Sequence, residues 1–136
     1  MELIQQKLNT GQISHSNMDY QAYTEDFRIS LSEKLGLLII KGNMACQSCR
    51  KKLNTVLTRI KKGLMDSGHL SVYINLENVN VTGLGKLLRI VCTLDLLARQ
   101  GKEIDVYWNT RNDRELTAIA ENFGELLPGQ LMITDF

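Results

Sequence analysis

Cys46 and Cys49 stand in a C-x-x-C spacing where a strand pattern gives way to a helical one. A thiol at a helix N-terminus ionises more readily, because unpaired N–H groups and the helix dipole stabilise the thiolate, and two such thiols can cycle through a disulfide. The surroundings argue against that chemistry: the single proline is Pro128, far from the pair, and no aromatic or Pro-Gly context flanks the cysteines. Zinc would need four ligands, and beyond the pair the chain offers only Cys92, in a helical stretch, with His15 and His69 far along the sequence. That is half a site, so neither metal nor cofactor is expected. His69 beside Gly68 reads as a loop residue, and His15 lies in a polar lead-in. Neither is spaced with a nucleophile and a carboxylate as a triad in sequence, which leaves spatial grouping to the fold.

The segment V-N-V-T-G-L-G-K, Val79 to Lys86, delivers Thr82 to the amino end of a long helical pattern. A hydroxyl there caps the helix by accepting from a free backbone N–H, a contribution of about 1 kcal/mol. The same place suits a phosphate, which would meet unpaired N–H groups and the positive end of the dipole. The two readings are compatible. Gly83, Gly85 and Lys86 lack the spacing of a Walker loop and no G-x-G-x-x-G occurs, so a nucleotide site is not indicated.

The elements that must position these residues follow from periodicity. Met1 to Thr24 is polar and without sustained period, a tail or loose lead-in, which leaves 25–136 as one domain. Phe27, Ile29 and Leu31 alternate, Glu33 to Gly36 form a turn, and Leu37 to Ile40 run apolar, giving a β-hairpin. Leu53, Val56, Leu57, Ile60 and Leu64 mark a helix near 48–66, whose Arg50, Lys51, Lys52, Arg59, Lys61 and Lys62 read as a solvated face. Leu70 to Leu76 alternates as a strand, 83–99 makes a second helix closed by Gly101, and Ile104 to Trp108 is a strand in which either Tyr107 or Trp108 faces the core. Asn112, with Glu115 three residues on, opens a third helix to about 125, and Leu131 to Thr134 is a last strand.

The order β-β-α-β-α-β-α-β implies a mixed, mostly parallel α/β sheet with an N-terminal hairpin. Loops beyond the carboxyl ends of such strands carry function, here Glu77 to Gly83 and Asn109 to Asn112. If the strands ending at Leu76 and Trp108 are neighbours, Arg111 or Arg114 comes within reach of a phosphate on Thr82. The balance of 16 basic and 15 acidic residues supplies no general pull toward nucleic acid. No apolar run approaches the roughly 18 residues of a membrane span. Met1 to Gln12 lacks the apolar core of a secretory signal, and three cysteines suit a reducing compartment, so a cytoplasmic location is expected.

The hairpin F-R-I-S-L-S-E-K-L-G-L-L-I-I-K-G, the strand and loop ending N-V-N-V-T-G-L-G-K, and W-N-T-R-N-D-R-E-L-T-A-I-A-E-N-F together resemble the SiaC family of bacterial regulatory phosphoproteins. The resemblance runs from about Asp26 to the carboxyl end. It implies a STAS-like fold, similar to anti-sigma-factor antagonists, and partner switching without catalysis. A Ser/Thr kinase would phosphorylate one Thr, a PP2C-type phosphatase would reverse it, and the unmodified form would engage a target such as a diguanylate cyclase in biofilm signalling. The family's acceptor falls on Thr82, while in the G-L-G frame of STAS antagonists the position would be Val81, which has no hydroxyl; the strand order, not the resemblance, gives Gly83, Arg111 and Arg114 as expected phosphate neighbours. The motif departs from the family's N-T-S-S in having Val81 before Thr82 and Gly83-Leu84 after it, and Thr82 is the sole hydroxyl of the loop. The alternatives are a thiol-redox protein using Cys46 and Cys49, or an unmodified interaction module.

Overall fold

The computed structural model describes residues 20–23, 27–43, 49–61, 68–79 and 81–134. Six strands form one sheet: β1 (Tyr20–Tyr23), β2 (Phe27–Ser32), β3 (Leu37–Asn43), β4 (His69–Asn78), β5 (Glu103–Asn109) and β6 (Leu131–Thr134). Helices α1 (Cys49–Lys61), α2 (Val81–Arg99) and α3 (Arg114–Gly124) separate the last four strands. The strands lie in chain order, β1–β2–β3 antiparallel and β3 to β6 parallel. The expected mixed, mostly parallel α/β sheet is the observed one.

Several boundaries differ from expectation, two of them by adding residues read as lead-in or loop to the sheet. The sheet takes in Tyr20–Tyr23, from the stretch read as a lead-in, because these residues pair with Arg28–Leu31 of β2. Four residues are too few to display a period, so only the partner strand reveals them. His69, read as a loop residue, is the first residue of β4, in register with Glu103.

A chain that always steps to the next strand in one direction, through crossovers of one hand, lays every crossover helix on the same face. The main core shows that consequence. Ile29, Leu38, Ile40, Val72, Ile74, Val106 and Trp108 from alternate positions of four strands meet Leu53, Val56 and Ile60 of α1, Leu87, Ile90, Val91 and Leu94 of α2, and Ala120 and Phe123 of α3. Trp108 is fully buried there and stacks on Phe123 with ring centroids 5.8 Å apart. Tyr107, one residue earlier, points to the opposite face beside Leu37, Ile39 and Tyr73.

Local chemistry fixes the ends of the elements. Gly36 closes the β2–β3 turn at φ 62, a left-handed backbone that side chains resist, and its N–H donates to Glu33 O at 3.3 Å. Gly101, φ 92, ends α2, with Lys102 N–H donating to Leu97 O and Gly101 N–H to Ala98 O, both at 3.1 Å.

Candidate functional site

Strands β4 and β5 are parallel neighbours, Asn75 opposite Asn109, so the chain leaves both at the same edge of the sheet. The β4 exit leads through Val79 into α2, with Thr82 as the second residue of that helix. A cap precedes the first helical residue, so Thr82, inside α2, does not hold the capping position expected of it. Thr82 keeps its place in the first turn, where backbone N–H groups lack helical acceptors. Gly83 follows it and is buried.

The β5 exit is a tight turn. Asp113 N–H donates to Thr110 O at 2.9 Å, and the two residues between, Arg111 and Asn112, both have φ 56. Side chains in that region cost about 1 kcal/mol or more per residue. Part of the cost is offset by Arg111 N–H donating to Asn109 Oδ1 at 2.8 Å, and Asn tolerates the conformation better than most. Asn112 is therefore spent in the turn, and the expected cap moves one residue on: Asp113 Oδ1 accepts from Leu116 N–H at 2.9 Å, and α3 begins at Arg114. Thr110 N–H donates to Thr134 O at 3.0 Å, which ties the turn to β6.

The turn aims Arg111 back at β4, where its Nη1 lies 3.6 Å from Glu77 Oε1. Both side chains are about half exposed, so this pair contributes no more than about 1 kcal/mol. Its geometric content is larger: one of the two arginines expected near Thr82 is held against the strand that leads to Thr82. Arg111 also acts on Tyr73. Burial pushes the Tyr73 phenol above its ordinary 10.0, while a hydrogen bond with Asn75 and the Arg111 charge pull the other way. Arg114 is exposed at the start of α3, past the cap.

Lys86 entered the sequence reading only in setting aside a nucleotide loop. It is 8% exposed, engaged within the fold, and one helical turn beyond Thr82, on the same side of α2. A lysine packed inward is uncommon, and the sequence carried no signal for it.

His69 does acquire spatial partners. Its Nε2 lies 3.3 Å from Asp105 Oδ2 and 3.2 Å from Ser71 Oγ. A relay needs the carboxylate and the hydroxyl on opposite ring nitrogens, and here both meet the same one. The group also sits at the amino ends of β4 and β5, away from the Thr82 edge. Cys46 and His15 lie outside the described residues, Cys49 opens α1, and Cys92 is an exposed free thiol on α2. Among the described residues no three His, Cys, Asp or Glu side chains group as metal ligands, and no helix is long and apolar enough to cross a membrane.

This arrangement, a mixed sheet with its crossover helices on one face and two loops paired at the carboxyl edge, is a STAS-like α/β fold. Comparison of the coordinates narrows it to a SiaC-like fold. Apo-SiaC from Pseudomonas aeruginosa superposes with a TM-score of 0.70 at 18% identity, over 85% of this chain and 98% of that one. A chain from the complex of the diguanylate cyclase SiaD with its activator SiaC, from the same organism, gives 0.75 at 18% identity over the same shares. A further SiaC structure gives 0.71 at 19% identity, over 83% and 93%. No protein-family model matches the sequence, and no curated protein does.

Proposed function

We propose that this chain is a non-enzymatic partner-switching regulator that engages a signalling protein, such as a diguanylate cyclase, while Thr82 is unmodified. The likeness to the SiaC of the SiaD complex carries the reading. The edge geometry supports it. A phosphate on Thr82 would bring a charge of about −1.5 to −2 to the first turn of α2. Arg111 waits across the edge in a weak, half-exposed pair with Glu77, and a phosphate offers it a stronger charge-assisted bond. Arg114, exposed at the start of α3, adds a second cation. The new charge would fall on the surface a target must desolvate, so binding would drop.

A Ser/Thr kinase and a PP2C-type phosphatase would set the state of Thr82, in the cytoplasm. The thiol-redox alternative has no supporting observation. Titration calorimetry of a diguanylate cyclase target with three forms tests the proposal: unmodified protein and Thr82→Ala should bind, and protein phosphorylated on Thr82 should not. Equal affinity of the modified and unmodified forms would reduce Thr82 to a helix-start residue. Intact mass of protein from its native host separates one added phosphate from a dithiol oxidised by loss of two hydrogens.

A further inference from the structure

The three helices pack on one face of the sheet, and among the described residues no helix or strand lies over the other. Along that other face run Leu37 and Ile39 of β3, Tyr73 of β4, Tyr107 of β5 and Met132 of β6. A large side chain on an uncovered sheet face keeps its tip in water unless tall neighbours hem it in. The neighbours here are short: Ser32 and Ser71 lie in register with Leu37, and Ser30 with Ile39. Leu37, Ile39 and Tyr73 are nevertheless only 4%, 6% and 5% exposed. The burial has clear limits. Arg28 and Lys41, the pair beyond Ile39, are exposed, Tyr107 is half-buried, and Met132 is 47% exposed. The cover therefore lies over β2 to β4 at the Leu37 end and stops short of β6.

We infer that residues 1–19 of the same chain lie across this face and cover Leu37, Ile39 and Tyr73. The burial is complete within a single chain, so the cover belongs to that chain and not to a second copy or a partner. The β2–β3 turn is drawn the other way, with Glu33 held by Arg59 of α1 at 3.0 Å. Every other stretch outside the described residues holds six residues or fewer, and 24–26, 44–48 and 62–67 are each tied at both ends to a strand or to α1. Only 1–19 has the length to span three strands. It also starts from the right place. β1 opens at Tyr20, in register with Leu31, which in turn pairs with Leu38, so the chain enters the sheet at the Leu37 end. That entry is about 10 Å from β3 at the usual strand spacing. Residues 9–19 reach up to about 36 Å when extended, which brings Leu3, Ile4 and Leu8 over the buried cluster. Helical spacing puts those three on one side, with Gln5 and Gln6 opposite. Burial of the Tyr73 phenol, which raises its pKa, accords with a cover over the ring. The segment thus closes the helix-free face to other chains and leaves the Thr82 edge as the place for a target.

NMR of the full chain with labelled methyl groups tests the inference. Cross-relaxation should connect Leu3, Ile4 or Leu8 with Leu37, Ile39 or the Tyr73 ring, and a mixture of differently labelled copies should show these contacts within one copy. Ile4→Asp combined with Leu8→Asp should abolish them and raise hydroxyl-radical oxidation of Leu37, Ile39 and Tyr73 several-fold. Gln5→Asp combined with Gln6→Asp, the same charge on the opposite side, should change neither reading. The wild-type contacts decide the matter whether or not the first pair of substitutions folds. Contacts to the cluster from residues outside 1–19 alone, contacts between copies alone, or no contact from 1–19 overturns the inference. So does a folded Ile4→Asp, Leu8→Asp protein in which the cluster is oxidised at the wild-type rate.

Discussion

The guanidinium of Arg111 reaches across the edge of the sheet to the carboxylate of Glu77, 3.6 Å away, from a residue whose own backbone is left-handed at φ 56. The turn spends conformational energy to aim this side chain at the neighbouring strand instead of into solvent. A loop kept only for connection would have no use for that orientation, and the neighbouring strand is the one that leads into Thr82.

On protein phosphorylated at Thr82, the Arg111 charge favours the dianionic phosphate, so its second pKa should lie below the ordinary value of about 6. Arg111→Ala should return it upward. A 31P NMR titration reads the shift directly. The same second pKa in both proteins would show that Arg111 does not reach the phosphate.

Asp113→Ala removes the acceptor of the Leu116 N–H and should cost about 1 kcal/mol, read as a lower urea midpoint with an unchanged slope. Asn112→Ala should cost stability for a different reason, its left-handed backbone, and Asn112→Gly should be tolerated. A cap at Asn112 would reverse the ranking of the Asp113 and Asn112 alanine variants.

Burial raises the pKa of Tyr73 above 10.0, and burial followed by the Asp105 charge does the same for Tyr107. The folded state therefore holds these protons more tightly than the unfolded chain does. That contribution to stability is fully present below the unfolded value near 10 and is lost as pH rises through the folded values. Unfolding free energy should fall on the alkaline side, and less steeply in Tyr73→Phe and Tyr107→Phe. Tyrosinate absorbance on the folded protein should likewise appear later than in denaturant.

Trp108→Ala should cost about 3 to 5 kcal/mol, since it empties the centre of the core and removes the stack on Phe123. Trp108→Phe should cost far less, because the indole N–H it deletes is buried without a hydrogen-bond partner. Thermal melts of the two variants give the comparison, and equal losses would count against it.

Cys46→Ser together with Cys49→Ser should leave target binding intact, because the sequence context of dithiol catalysis is missing around the pair. Insulin reduction by the wild type, absent from the double variant, would instead support redox work.

The long periodic segments were legible. Leu87, Val91 and Leu94 announce α2, and Ile104, Val106 and Trp108 announce β5, because a core-facing stripe repeats often enough to be seen. Adjacency of the Glu77 and Asn109 loops was an expectation conditional on β4 and β5 being neighbours, which the register shows them to be, and it named Arg111 or Arg114 without choosing between them. The choice between Asn112 and Asp113 as cap was not legible. Both residue types cap helices, and the tie is broken by the left-handed turn that the β5 exit requires. Lys86 was hidden because nothing in a Gly-Lys dipeptide says that the helix packs its lysine inward. The Ser71–His69–Asp105 cluster depends on the register of two strands far apart in sequence.

The chain-order sheet bears on how the protein is made. Each strand's neighbours in space are its neighbours along the chain, so a ribosome extruding the protein releases every strand after the one it must join. The hairpin of β2 and β3 can wait as a template, and each later helix and strand adds one unit to a growing margin. No early strand stays unpaired for want of a late partner, which shortens the time during which apolar margins are open to other nascent chains. The Arg111 turn, lying between the last two strands, is assembled only when synthesis of the domain is nearly finished.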